Sequence, residues 1–205
     1  MGDPLLLVVE GIDDKHVILA ILTRHDFRPR FKVQDEQGFE NLHARLIQRL
    51  KPGTDLERLG IVVDADANIQ ARWQSIRDVL VKAGYGNLPP HPDPQGLVID
   101  HADLPKLGVW IMPDNSMPGM LEDYLSFLVP PGDSLLELAS HTLDAIPTEE
   151  RRFADGHRSK ALIHTWLAWQ EDPGTPMGQA ITKRYFAMDS RHISTFLNWL
   201  TRLFT

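Results

Sequence analysis

Apolar positions along this chain recur with two periods, and the two alternate. Leu5 to Val9 is an unbroken apolar run of five residues, suited to a buried strand and too short for a membrane span. Glu10, Gly11 and two more carboxylates follow. Val17, Ile18, Ile21 and Leu22 then share one face of a helix predicted from about Asp14 to Thr23. Phe31 to Val33 predicts a short second strand, led in by Arg28-Pro29-Arg30. Phe39, Leu42, Leu46 and Leu50 predict a second amphipathic helix, stopped by Lys51-Pro52-Gly53. Leu59 to Val63 repeats the strand signal and runs into Asp64-Ala65-Asp66. A third helix, from about Gln70 to Ala83, turns Trp73, Ile76, Val79 and Leu80 inward.

Strands that alternate with helices argue for a parallel sheet with crossover helices. Glu10 and the Asp64/Asp66 pair then fall on one edge of that sheet. Past a Pro- and Gly-rich loop from Gly84 to Pro94, Leu97–Ile99 and Gly108–Met112 predict two more strands. Met120 to Leu125 reads as a helix with Glu122 and Asp123 in its first turn, where acidic residues suit the dipole. From Asp133 onward only helical periodicity remains. Leu135, Leu136, Leu138 and Ala139 mark one helix, and Leu162, Trp166 and Trp169 form a candidate buried stripe over Lys160 to Gln170. Ile193, Phe196, Leu197, Leu200 and Leu203 mark a terminal helix. The expected organisation is an α/β domain over residues 1–130, with helices on both faces of a mainly parallel sheet. A helical C-terminal extension over 131–205 packs on it.

Composition narrows the function classes. Cysteine is absent, which leaves neither a disulfide framework nor a thiolate metal site and fits a reducing cytoplasm. The N-terminus lacks a basic signal-peptide region and no apolar run reaches membrane length, so a cytoplasmic protein is expected, with no membrane partner. With 21 basic and 28 acidic residues the net charge is -7, so the chain has no general basic footprint for nucleic acid. Basic residues do cluster at Arg24, Arg28, Arg30 and Lys32, and again at Arg151, Arg152, Arg158 and Lys160. The phosphate loop of P-loop NTPases, the nucleophile elbow of α/β hydrolases and the three-glycine dinucleotide fingerprint are all missing.

The carboxylates carry the candidate chemistry. A carboxylate just past a buried parallel strand sits where open α/β sheets place their sites. The plainer alternative makes Glu10 a solvated loop residue and Asp13 or Asp14 a helix cap. Asp64 and Asp66 lie two residues apart on an extended strand exit, so both side chains are expected to point the same way. Their oxygens suit a hard cation, Mg²⁺ or Mn²⁺. His157, Lys160 and His164 recur at helical spacing and predict one cationic face.

Glu10-Gly11-x-x-Asp14 after one strand and Asp64-x-Asp66 after a later one resemble the Toprim domain. Trp110-Ile-Met-Pro-Asp-Asn and Leu121-Glu-Asp-Tyr-Leu resemble small stand-alone members of that family. The resemblance implies a Rossmann-like Toprim core and metal-dependent phosphodiester chemistry like that of the overcoming-lysogenization-defect nucleases, on DNA or RNA. It implies acid/base work for Glu10 and metal binding for Asp64 and Asp66. Asp14 is expected to hold metal or a structural contact, which leaves Asp13 as the cap of the first helix. Glu122 is the candidate for a second metal, and Lys160 for a lysine that holds the scissile phosphate. Asp123, Asp114, His157 and His164 are weaker candidates. The alternative is a non-catalytic metal-binding or interaction module within a larger nucleic-acid-processing or defence complex, with a protein partner or a second copy on the helical tail.

Overall fold

The computed structural model describes residues 3–28 and 30–205; Met1, Gly2 and the Pro29 of the predicted strand lead-in lie outside them. The elements are β1 Leu5–Val9, α1 Ile12–Arg24, β2 Lys32–Asp35, α2 Phe39–Arg49, β3 Arg58–Asp64, α3 Ile69–Ala83, β4 Leu97–Ile99, β5 Lys106–Met112 and α4 Leu121–Ser126. Four more α-helices follow, α5 Ser134–Asp144, α6 Arg158–Ala168, α7 Met177–Thr182 and α8 Arg191–Phe204, with a short 3-10 turn at Asp155–His157 leading into α6. One five-stranded sheet runs in the order β2-β1-β3-β5-β4. β2, β1, β3 and β5 are mutually parallel, and β4 joins the edge antiparallel to β5. This is a Rossmann-like, doubly wound α/β fold.

Strand alternation divides the core in two. Leu6, Val8, Ile61, Val63, Val109 and Ile111 face α2 and α3. Leu7, Val9, Val62, Trp110 and Met112 face the other way, into one cluster with α1, α4 and all of α5–α8. Residues 131–205 therefore complete a core begun by the sheet. Phe196, Trp199, Leu200 and Leu203 of α8 are fully buried against it. Trp169, expected in a buried stripe, is 38% exposed because α6 ends at Ala168 and leaves it on the cap. The six-residue α7 is too short to show a helical period in the sequence. It packs on α1 through Gly178, where a Cβ would stand 2.9 Å from the His16 carbonyl carbon.

The sheet is hollowed to receive α8. Gly60 and Gly108 are register partners on β3 and β5, and a Cβ on Gly108 would lie 2.6 Å from Leu203 Cδ2. All the nearest atoms belong to the Leu203 side chain, which is fully buried and must be displaced to relieve the clash. Gly108→Val is expected to destabilise the protein by about 1–3 kcal/mol through overpacking, checked by urea unfolding. Among the described residues, no helix is long and apolar enough to cross a membrane.

Candidate metal centre

β1 and β3 are neighbours and parallel, so the residues that follow them leave the sheet side by side. Glu10 and Asp64 thereby meet: the Asp64 backbone N–H donates to Glu10 Oε2 at 3.3 Å. Asp14, in the first turn of α1, folds back so that its Oδ2 accepts from the Gly11 N–H at 3.1 Å. Asp14 is therefore the residue that caps α1, and Asp13 is exposed. Gly11 is extended at φ -134°, so its role is space: a Cβ there would sit 3.2 Å from the Asp14 carboxylate. Asp64 Oδ1 accepts from the Leu121 N–H at 3.0 Å, tying β3 to the start of α4. The next residue, Glu122, is 3% exposed and meets Lys160 Nζ of α6 at 3.3 Å. Glu10, Asp14, Asp64, Glu122 and Lys160 all line one cavity of about 310 Å³.

The loop after β2 closes the cleft from the side. The Glu36 N–H donates to the Val9 carbonyl at 3.0 Å and the Gly38 N–H to the Glu10 carbonyl at 2.8 Å. Gly38 has φ +110°, a conformation that favours glycine and turns the chain over Glu10. Glu36 is fully buried between Arg45 and Arg49 of α2, which anchors that loop. Gln37 and Gly38 were not among the expected site residues. The signal for them lies in the topology: in a parallel sheet the β2 exit comes out beside the β1 exit.

Crowded, dehydrated carboxylates resist ionisation. Burial is the main cause in each case. It raises the pKa of Glu10, although the Asp64 N–H and the Arg72 charge oppose it. It pushes Asp14 up to about 7, with the charge of Glu10 next in effect. It raises Asp64 well above the usual carboxylate value, helped by Asp14, Glu10 and Glu122. For Lys160 partial burial works against the charge, but Glu122, Asp64 and Asp13 outweigh it and the pKa rises. Asp14 Oδ1 is buried and has no hydrogen-bond partner.

Other expected site residues lie elsewhere. Asp66 does not share the direction of Asp64, because the strand ends at Asp64 and Asp66 turns left-handed at φ +51°. Its backbone exchanges two hydrogen bonds with Gly119, at 2.9 and 2.8 Å, and its carboxylate pairs with Arg72. Arg72 lies 3.5 Å over the Phe39 ring, in a neighbouring cavity that shares Glu10. Asp114 is spent on its own turn, accepting from the Ser116 N–H and hydroxyl and the Met117 N–H. Asp123 accepts from the Met120 N–H and the Ser159 hydroxyl. His157 is the N-cap residue of α6, and both His157 and His164 are exposed and outside the residues lining the cavity.

The donor set is all oxygen, as a hard divalent cation requires, and the unpartnered Asp14 Oδ1 is a free buried acceptor. Among the described residues, no three acidic or imidazole side chains are drawn close enough together to hold an ion as they stand. Binding therefore calls for the carboxylates to converge. In comparisons with known proteins, the model of the family described as Protein of unknown function (DUF3226) matches residues 4–205, and the chain belongs to that family. No curated protein and no solved structure matches the chain.

Proposed function

We propose that this protein performs metal-dependent phosphodiester hydrolysis on nucleic acid, DNA or RNA, as a nuclease of the Toprim type that uses Mg²⁺ or Mn²⁺. One observation carries the reading. Glu10, Asp14 and Asp64 come from two adjacent strand exits and face a single cavity with Glu122 and Lys160. Asp14 and Asp64 would hold the ion, with Glu122 at the edge of the set. A bound ion would supply positive charge to a phosphate oxygen and lower the pKa of a water. Glu10, whose burial favours the protonated form, is suited to hold and pass the proton. Lys160 is half exposed at the cavity mouth, where its charge offsets that of an entering phosphate. A cytoplasmic setting fits the cysteine-free sequence.

Incubation of the purified protein with plasmid, single-stranded DNA and RNA in Mn²⁺ or Mg²⁺ tests the reading. Cleavage is expected, and Glu10→Gln is expected to lower it at least 100-fold. Cleavage unchanged in Glu10→Gln sinks the assignment.

A second reading, a non-catalytic metal-binding or interaction module, is favoured by a different observation. Glu122 already has a counter-charge in Lys160, and the remaining acids are not gathered round one point. Heat of Mn²⁺ binding with no turnover on any of the three nucleic acids selects this alternative.

A further inference from the structure

Gly119 to Asp123 are five consecutive residues that connect the separate parts of the cleft. Gly119 bridges the Asp66 backbone, and the Leu121 N–H holds the Asp64 carboxylate at 3.0 Å. Glu122 meets Lys160 at 3.3 Å. Both oxygens of Asp123 are used: Oδ2 accepts from the Met120 N–H at 2.8 Å and Oδ1 from the Ser159 hydroxyl at 2.5 Å. Glu122 and Asp123 are adjacent, as are Ser159 and Lys160. Two side-chain contacts therefore run abreast between α4 and α6.

The two contacts differ in what they can fix. A lysine carries a flexible four-carbon stem, and Lys160 keeps 51% of its side chain exposed, so its ion pair with Glu122 holds its own geometry weakly. A hydroxyl donating to a carboxylate is short, directional and stronger than a neutral bond. Serine has one rotor, so little freedom is lost on alignment. Gly119 leaves the room that Asp123 needs: a Cβ there would stand 2.8 Å from Asp123 Oδ2.

We propose that Asp123 and Ser159 form a positioning pair that sets α6 against α4 and so places Lys160 opposite Glu122. The inference rests on the proposed role of Lys160 in the cleft, but its decisive test needs no cleavage. The coupling between Glu122→Gln and Lys160→Met is measured by urea unfolding in EDTA, in Ser159, Ser159→Ala and Ser159→Thr backgrounds. Favourable coupling is expected with serine, lost with alanine and restored with threonine. A merely structural serine would lower stability and leave the coupling unchanged, and that result overturns the proposal. So does an absence of coupling in the wild type. If Ser159→Ala is too unstable to measure, Asp123→Asn provides the same comparison from the other side of the bond. If the wild type neither binds Mn²⁺ nor cuts nucleic acid, the nuclease reading fails while the coupling still decides this one.

Discussion

Asp64→Asn is expected to have opposite effects on binding and on stability. Mn²⁺ affinity should fall at least 100-fold and cleavage to background, while the EDTA-treated protein becomes more stable. Asn keeps the shape of the residue and an oxygen for the Leu121 N–H, so the link from β3 to α4 survives. What it removes is a buried negative charge set among Asp14, Glu10 and Glu122. Relief of that repulsion and desolvation is expected to contribute ~1–3 kcal/mol. In a chain of 205 residues this corresponds to several degrees in the thermal midpoint. Asp66→Asn is the contrasting variant. Asp66 is paired with Arg72 in the neighbouring cavity and does not line the one shared by Asp14 and Asp64, so Mn²⁺ affinity should change less than threefold. Calorimetric titration with Mn²⁺ and thermal melts in EDTA check both variants. A drop in affinity for Asp66→Asn equal to that for Asp64→Asn would return Asp66 to the ligand set.

That contrast also shows where sequence reading stops. Period-two alternation places both side chains on one side only while the backbone stays extended, and β3 ends at Asp64. The left-handed turn at Asp66 leaves no mark in hydrophobic periodicity, because it is stabilised by Gly119, far away in the chain. The sheet itself was legible, since β1, β3, β4 and β5 are built on short apolar runs, β2 is marked by Phe31 and Val33, and each crossover helix has an apolar stripe. Those same patterns place Glu10 beside Asp64 once the strands are known to be parallel neighbours. Which of Asp13 and Asp14 caps α1 was not legible. Either carboxylate could cap α1, and the choice falls to the one that folds back onto Gly11. The meeting of Lys160 with Glu122 depends on how α6 packs against α4, and periodicity within one helix says nothing of packing between two.

The acid cluster also predicts a pH dependence whose sign is opposite to that of ordinary salt-bridged carboxylates. Asp14 has a folded-state pKa of about 7 against an ordinary value of 3.8, and Glu10 and Asp64 are raised as well. Between those values the native state binds more protons than the unfolded chain, so stability falls as pH rises. In EDTA, the contribution of this cluster should be greatest near pH 4 and decline through about pH 7, where Asp14 ionises. Below that window the unfolded chain is protonated too, and the cluster no longer adds a slope. Asp14→Asn should flatten the decline and stabilise the protein at neutral pH by ~1–3 kcal/mol. Binding of a divalent cation is expected to reverse the trend. It competes with the protons that neutralise the cluster, so Mn²⁺ affinity should rise from pH 5.5 to about pH 7 with net proton release. Urea unfolding across this range, with EDTA and with excess Mn²⁺, measures both slopes. Calorimetry in buffers of different ionisation enthalpy counts the protons. Stability in EDTA that climbs between pH 5 and 7, with no flattening in Asp14→Asn, would mean that these carboxylates are ionised and solvated rather than poised to receive a cation.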